Sequence, residues 1–209
     1  MPVWLKHASL AAAVIIYALH VATGSASRSS PSPEELLARI AEGGVILYVR
    51  HAETDAAPED AGDDDRRLSD SGCADAANLG RAIVALSLPA DKVHTSPLPR
   101  TRETARQMFS EHDIVDDPVL DLDGYRGDSV DAMIDALRAR LGSSDEGANT
   151  WLVGHITPLM MALGRHLDDD SFPEGAIAVF EPDGNGGRHL GTLKPGWEAE
   201  HVERKQERC

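Results

Sequence analysis

The chain has 209 residues, 42% of them hydrophobic and 26% charged, ordinary proportions for a globular protein with room for one sizeable domain. Its formal net charge of −15 argues against nucleic acid or an anionic membrane as partner, and an anion site must therefore be built from local arginines. Its two cysteines are too few for a disulfide scaffold.

Lys6 and His7 precede an apolar run over residues 8–21 and then the small residues Ala22-Thr23-Gly24-Ser25-Ala26. A basic start, a short apolar run and a small-residue site predict a signal peptide over residues 1–26. The run falls short of the roughly 20 residues a spanning helix needs, which leaves an uncleaved anchor as the alternative. The expected mature domain is 27–209, exported to the periplasm or secreted, with no stable membrane association once the signal is removed.

Ser32-Pro33-Glu34-Glu35 has the form of a helix start, with Leu36, Leu37 and Ile40 as its apolar stripe and Gly43 as its end. Residues 45–49 read as a buried strand that runs straight into Arg50-His51. Residues 56–67, with Asp63-Asp64-Asp65 at their centre, predict a solvated loop, and contiguous aspartates are weak support for a metal site. Ser69 caps a helix in which Cys73, Ala76, Ala77, Gly80, Ile83 and Val84 recur at helical spacing. Cys73 is expected there as a buried inert thiol, with a Cys73–Cys209 disulfide as the alternative in an oxidising compartment.

Residues 92–96 form a second expected strand, followed by Pro97-Leu98-Pro99-Arg100 and a helix carrying Thr104, Ala105, Met108 and Phe109. Ile114-Val115 suggests an edge strand, and Ser129 caps a helix whose core face is Val130, Met133, Ile134, Leu137 and Leu141. Residues 150–153 are again a strand, ending in Gly154-His155, and Pro158 is expected to open a helix to about Leu167. Residues 176–180 and 189–193 flank the turn Asp183-Gly184-Asn185-Gly186-Gly187 and predict a hairpin, while residues 201–209 read as a charged, frayed tail. This alternation predicts an α/β fold: a three-layer α/β/α sandwich with a mostly parallel central sheet and an antiparallel edge.

Arg50, His51, Arg100 and His155 all lie at the carboxyl ends of expected strands or just beyond them, where open α/β sheets bind ligands. Two histidines with two arginines suit phosphoryl transfer. The arginine fork matches phosphate oxygens, and a neutral imidazole can attack phosphorus. A metal hydrolase fits less well, because the arginines repel a cation and no paired-histidine helix motif occurs. No Gly-x-Ser-x-Gly elbow of a serine hydrolase is present either.

The segments Arg50-His51-Ala52-Glu53-Thr54, Leu68-Ser69-Asp70-Ser71-Gly72, Ser96-Pro97-Leu98-Pro99-Arg100-Thr101-Arg102-Glu103-Thr104-Ala105 and Val153-Gly154-His155 together resemble the histidine phosphatase superfamily, with its phosphoglycerate-mutase-like fold. The resemblance implies that His51 is the phosphorylated nucleophile and that Arg50 and Arg100 bind phosphate. It implies further that His155 polarises the phosphoryl group and that Arg102 is a helix-surface charge. It implies a small phosphorylated substrate and neither cofactor nor metal. Ala52 stands where many members have glycine, and the stretch where many supply a glutamate acid reads Leu120-Asp121-Leu122-Asp123-Gly124. Either Asp121 or Asp123 can serve as that acid, since alternate residues of an extended segment share a face. The short interval between Arg100 and His155 favours a phosphatase over a mutase. Among relatives, cytoplasmic phosphohistidine phosphatases fit an exported chain poorly, and lipopolysaccharide-core heptose phosphatases fit the compartment better. The competing expectation is a phosphate- or phosphosugar-binding protein of the same fold with little or no turnover.

Overall fold

The computed structural model describes residues 30–60, 62–121, 129–203, 205 and 209. The expected signal over residues 1–26 and the acid candidate Asp123 lie outside the described residues.

Helix α1 (Pro33–Ala41) starts as its sequence dictates. Glu35 N–H donates to Ser32 Oγ at 3.3 Å, and Ser32 N–H donates back to the Glu35 carboxylate at 2.8 Å. The chain then turns through Gly43 at φ 81° into strand β1 (Ile46–Arg50), which is buried along its whole length. Helix α2 (Asp70–Ala85), strand β2 (Lys92–Thr95), helix α3 (Pro99–Met108) and the short strand β3 (Ile114–Asp116) follow. After them come α4 (Val130–Gly142), β4 (Thr150–Gly154), α5 (Ile156–Leu163), β5 (Ile177–Glu181) and β6 (Arg188–Leu193).

The strands form one six-stranded sheet in the order β3-β2-β4-β1-β5-β6. The first four are mutually parallel, and β5 and β6 run antiparallel as a hairpin edge. Alternate residues of β1 feed two cores, as strand geometry requires. Val45, Leu47 and Val49 pack with Leu36 and Ile40 of α1, Leu79 of α2 and Met108 of α3. Ile46 and Tyr48 pack on the opposite face with Leu137 and Leu141 of α4 and Leu159 of α5. The three-layer α/β/α sandwich follows directly.

Several local readings are corrected. Val84 is 73% exposed and Val130 is 45% exposed, so neither belongs to its helix's core face. Helix α5 starts at Ile156 rather than Pro158, and it stops at Leu163 because Gly164 adopts φ 61°. Leu167 still reaches the core from the following loop. Cys73 is not a free thiol: it is joined to Cys209 in a disulfide with Cα atoms 5.7 Å apart. The tail is correspondingly held against α2. Trp197 and Val202 pack on the core there, and Lys205 N–H donates to Asn78 Oδ1 at 3.2 Å.

The parallel register brings three strand ends level. Arg50 pairs with Gly154, and Thr95 pairs with Val153. Tyr48 secures the junction by donating its hydroxyl to the His155 carbonyl at 2.8 Å and accepting His155 N–H at 3.1 Å. Gly154 makes this possible, because a Cβ there would meet Tyr48 Oη at 2.4 Å and Cζ at 2.9 Å. Gly154→Ala is therefore expected to cost about 2–3 kcal/mol through overpacking, lowering Tm by roughly 5–10 °C in a thermal melt.

Candidate active site

Beyond β1, β2 and β4 the chain gathers Arg50, His51, Ser96, Arg100 and His155. All are buried, none more than 9% exposed. The four residues named from the sequence do converge, and Ser96 joins them from the end of β2.

His51 sits just past β1, with its N–H donated to the Gly154 carbonyl at 3.0 Å. Its ring Nδ1 faces the Ala52 carbonyl at 2.9 Å. A carbonyl only accepts, so the proton is on Nδ1 and the Nε2 lone pair is left for attack. Burial lowers the ring's pKa to about 4, opposed by the Ala52 hydrogen bond and helped by the charges of Arg100, Arg50 and Arg66. A neutral imidazole at ordinary pH results, which is the form a nucleophile needs.

The His155 ring lies 5.4 Å from that of His51, centroid to centroid. Its Nε2 contacts Ser96 Oγ at 2.9 Å, and burial followed by the charge of Arg100 holds its pKa down to about 2. Ser96 Oγ also accepts Leu98 N–H at 3.3 Å. When the Ser96 hydroxyl donates to Nε2, the neutral ring carries its proton on Nδ1.

The arginines arrive on different elements. Arg50, the last residue of β1, donates from Nη1 to Asp169 Oδ1 at 2.6 Å and to the Phe172 carbonyl at 2.8 Å. Arg100, in the first turn of α3, donates from Nη1 to the Asp63 carbonyl at 3.0 Å, and its Nη2 lies 3.7 Å from Asp63 Oδ2. Burial pulls its pKa below the usual guanidinium range. Arg50 Nε, Arg100 Nε and His155 Nδ1 are buried without a hydrogen-bond partner among the described residues. Buried donors are normally satisfied, so nitrogens left open on residues gathered beside His51 suit an oxyanion.

Asp121 is 2% exposed, and its charge is felt by both Arg100 and Tyr48. Arg102 does not enter. Its Nε donates to Asp116 Oδ1 at 2.9 Å and its Nη2 also pairs with that carboxylate, out on the surface.

Four groups at the site escape a reading of the sequence. Ser96 was visible only as part of a motif. Arg66 lies in the acidic stretch taken as a solvated loop, yet it hydrogen-bonds Thr54 and raises the local positive potential at His51 and Arg100. Asp63 of the same stretch likewise reaches Arg100. Glu174 carried no sequence signal at all, and its Oε1 lies 3.8 Å from both Arg50 Nη2 and His51 Nδ1. Among the described residues no group of three His, Cys, Asp or Glu side chains is placed to hold a metal ion.

Residues 46–123 match the family model of the histidine phosphatase superfamily, branch 1. No curated protein sequence matches the chain. Similar solved structures include the protein histidine phosphatase SixA complexed with tungstate. It is 18% identical, with TM-score 0.57 over 72% of this chain and 97% of that one. SixA of Agrobacterium tumefaciens is 22% identical, with TM-score 0.54 over 74% and 99% of the two chains. SixA of Nakamurella multipartitia is also 22% identical, with TM-score 0.52 over 73% and 96%. Residues 46–123 thus match the histidine phosphatase superfamily, branch 1, in sequence, and the chain shares its fold with the SixA structures over 72–74% of its length.

Proposed function

We propose that the protein is an exported phosphomonoesterase that hydrolyses a phosphorylated small molecule or sugar through a phosphohistidine on His51. The observation that carries this reading is the set of nitrogens without a partner among the described residues, Arg50 Nε, Arg100 Nε and His155 Nδ1, beside the neutral His51 ring. His51 Nε2 attacks phosphorus in line. Arg50 and Arg100 neutralise the equatorial oxygens, and the Nδ1 proton of His155 is donated to one of them. Water then releases phosphate. The two guanidinium groups supply the positive charge that a metal would otherwise contribute, so the reaction is metal-independent. Tungstate in the similar SixA structure is an oxyanion of the kind this cradle suits. Export is supported by the sequence of residues 1–26 and by the Cys73–Cys209 disulfide, since such bonds persist in oxidising compartments.

The test is turnover of an aryl phosphate by the purified protein with EDTA present, together with trapping of the phosphoenzyme. Turnover that resists EDTA and passes through a phosphohistidine is the expected result. Activity abolished by EDTA would overturn the mechanism. Phosphate binding without turnover would instead favour a binding protein of this fold.

Asp121, whose charge is felt by Arg100, is the acid candidate among the described residues. An acid matters only for a leaving group that needs a proton. Asp121→Asn is expected to lower kcat/KM for an alkyl phosphate by about 10²-fold while leaving an aryl phosphate within about threefold. Equal losses on both substrates would remove Asp121 from that role.

A further inference from the structure

Glu174 has no part in the phosphate cradle, yet the fold fixes its place closely. The N–H of Gly175, the next residue, donates to both the Arg50 carbonyl at 3.2 Å and the His51 carbonyl at 3.0 Å. Arg50 N–H donates in turn to the Ala176 carbonyl at 3.0 Å. Gly175 adopts φ 77°, a conformation glycine takes without strain, and the segment over residues 173–176 is thereby pinned to the end of β1. This holds the Glu174 carboxylate 3.8 Å from His51 Nδ1, on the opposite side of the ring from the attacking Nε2. Arg50 does not depend on Glu174, because its Nη1 is already engaged by Asp169 and by the Phe172 carbonyl.

We propose that Glu174 is a positioning residue of the reaction: the counter-ion that stabilises the positive ring of His51 as it becomes phosphorylated. The inference rests on the phosphatase reading above. When Nε2 forms its bond to phosphorus, the bond to the leaving oxygen breaks and its electron pair stays on that oxygen. The ring keeps its Nδ1 proton, still donated to the Ala52 carbonyl, and so acquires a full positive charge. An ionised carboxylate on the Nδ1 side favours that state over the neutral ring it starts from. In the second half-reaction a water oxygen bonds to phosphorus, the N–P pair returns to Nε2 and the water's proton passes to solvent. The ring's charge then vanishes and the counter-ion is again in excess. Glu174 therefore acts most strongly while the phosphoenzyme exists.

The groups around Glu174 bear on its own titration. Burial raises its pKa, Arg50 and Arg66 pull it down, and Glu53 and Asp169 push it up again. Asp75 and Glu198 line the same cleft, which measures about 440 Å³. With the carboxyl titrating above its ordinary value and His51 titrating at about 4, the two limbs separate. As pH falls, kcat/KM should first step down as Glu174 is protonated and collapse only near pH 4, where His51 is.

The experiment compares pH profiles of kcat/KM for an aryl phosphate, whose own titration is common to every variant. Glu174→Gln is expected to lose about tenfold at the plateau and to lack the upper step, leaving only the fall near pH 4. Glu174→Asp, which keeps the charge, should keep the step and stay within about threefold of the parent. A Glu174→Gln profile superimposable on the parent's overturns the inference, as does an equal loss in both variants with the upper step unmoved. An active parent with either result overturns this inference alone. A parent with no turnover overturns the phosphatase reading and this one with it.

Discussion

Replacing His51 by alanine is expected to cut turnover of an aryl phosphate by on the order of 10⁴-fold or more and to abolish the trapped phosphoenzyme. Nothing nearby can substitute for it. His155 is the only other imidazole within reach among the described residues, and its Nε2 is engaged by Ser96 Oγ. The carboxylates in the neighbourhood would be repelled by the phosphate they would have to attack. The loss should fall on kcat rather than on phosphate affinity, because Arg50, Arg100 and His155 remain in place. Retained binding of inorganic phosphate or tungstate, measured by calorimetry, checks that the variant's site is intact. Residual activity above about one per cent of the parent's, in a variant that still binds phosphate, would show that His51 is not the nucleophile.

Much of this site was legible because its chemistry sits where the α/β pattern must end its strands. Arg50-His51 and Gly154-His155 are read from apolar runs that stop abruptly, and parallel pairing then levels them without further information. The same holds for Arg100, since Pro97 and Pro99 fix where β2 gives way to α3. What escaped came from segments whose position is set by tertiary contacts alone. Glu174 reaches His51 only because Gly175 is clamped to the end of β1, a contact with no local periodicity to announce it. Asp63 and Arg66 belong to a stretch whose composition says solvent, yet the Thr54–Leu68 bridge folds that stretch back over the site. The burial of Cys73 is legible from its helical spacing, but burial alone does not reveal that Cys209 meets it in a disulfide. The exposed Val84 and Val130 err in the other direction, since helical spacing locates a face to within about one residue position and each lies at that margin.

The likeness to SixA structures, at 18–22% identity, fixes the fold and leaves the substrate to be decided by this chain's own residues. The cleft beside Arg50 is lined by Glu53, Asp75, Asp169, Glu174 and Glu198. Apart from Arg50 its charged lining is acidic, so under the proposed function the affinity for a substrate rests mainly on the phosphoryl group. That places the burden of affinity on Arg50 and Arg100, in a chain whose net charge of −15 repels anions at long range.

Arg100 should accordingly be the costliest residue to lose after the nucleophile. Arg100→Ala is expected to lower kcat/KM by on the order of 10³-fold, the scale seen when a preorganised donor to a transition-state oxyanion is removed. The helix that carries Arg100 is locked to the loop that follows His51. Thr104 Oγ1 donates to the Arg100 carbonyl at 2.7 Å and accepts Ala52 N–H at 3.0 Å. The guanidinium is thus aimed by the same contacts that position His51, and its Nε is left without a protein partner among the described residues. Arg100→Lys should recover only part of the loss, about tenfold, because an ammonium keeps the charge without the planar fork. Arg102→Ala provides the contrast within one motif. Its side chain pairs with Asp116 on the surface, and kcat/KM should stay within about threefold of the parent's. If Arg102→Ala proved as damaging as Arg100→Ala, the phosphate arginine of this motif would be misassigned, and with it the geometry of the cradle.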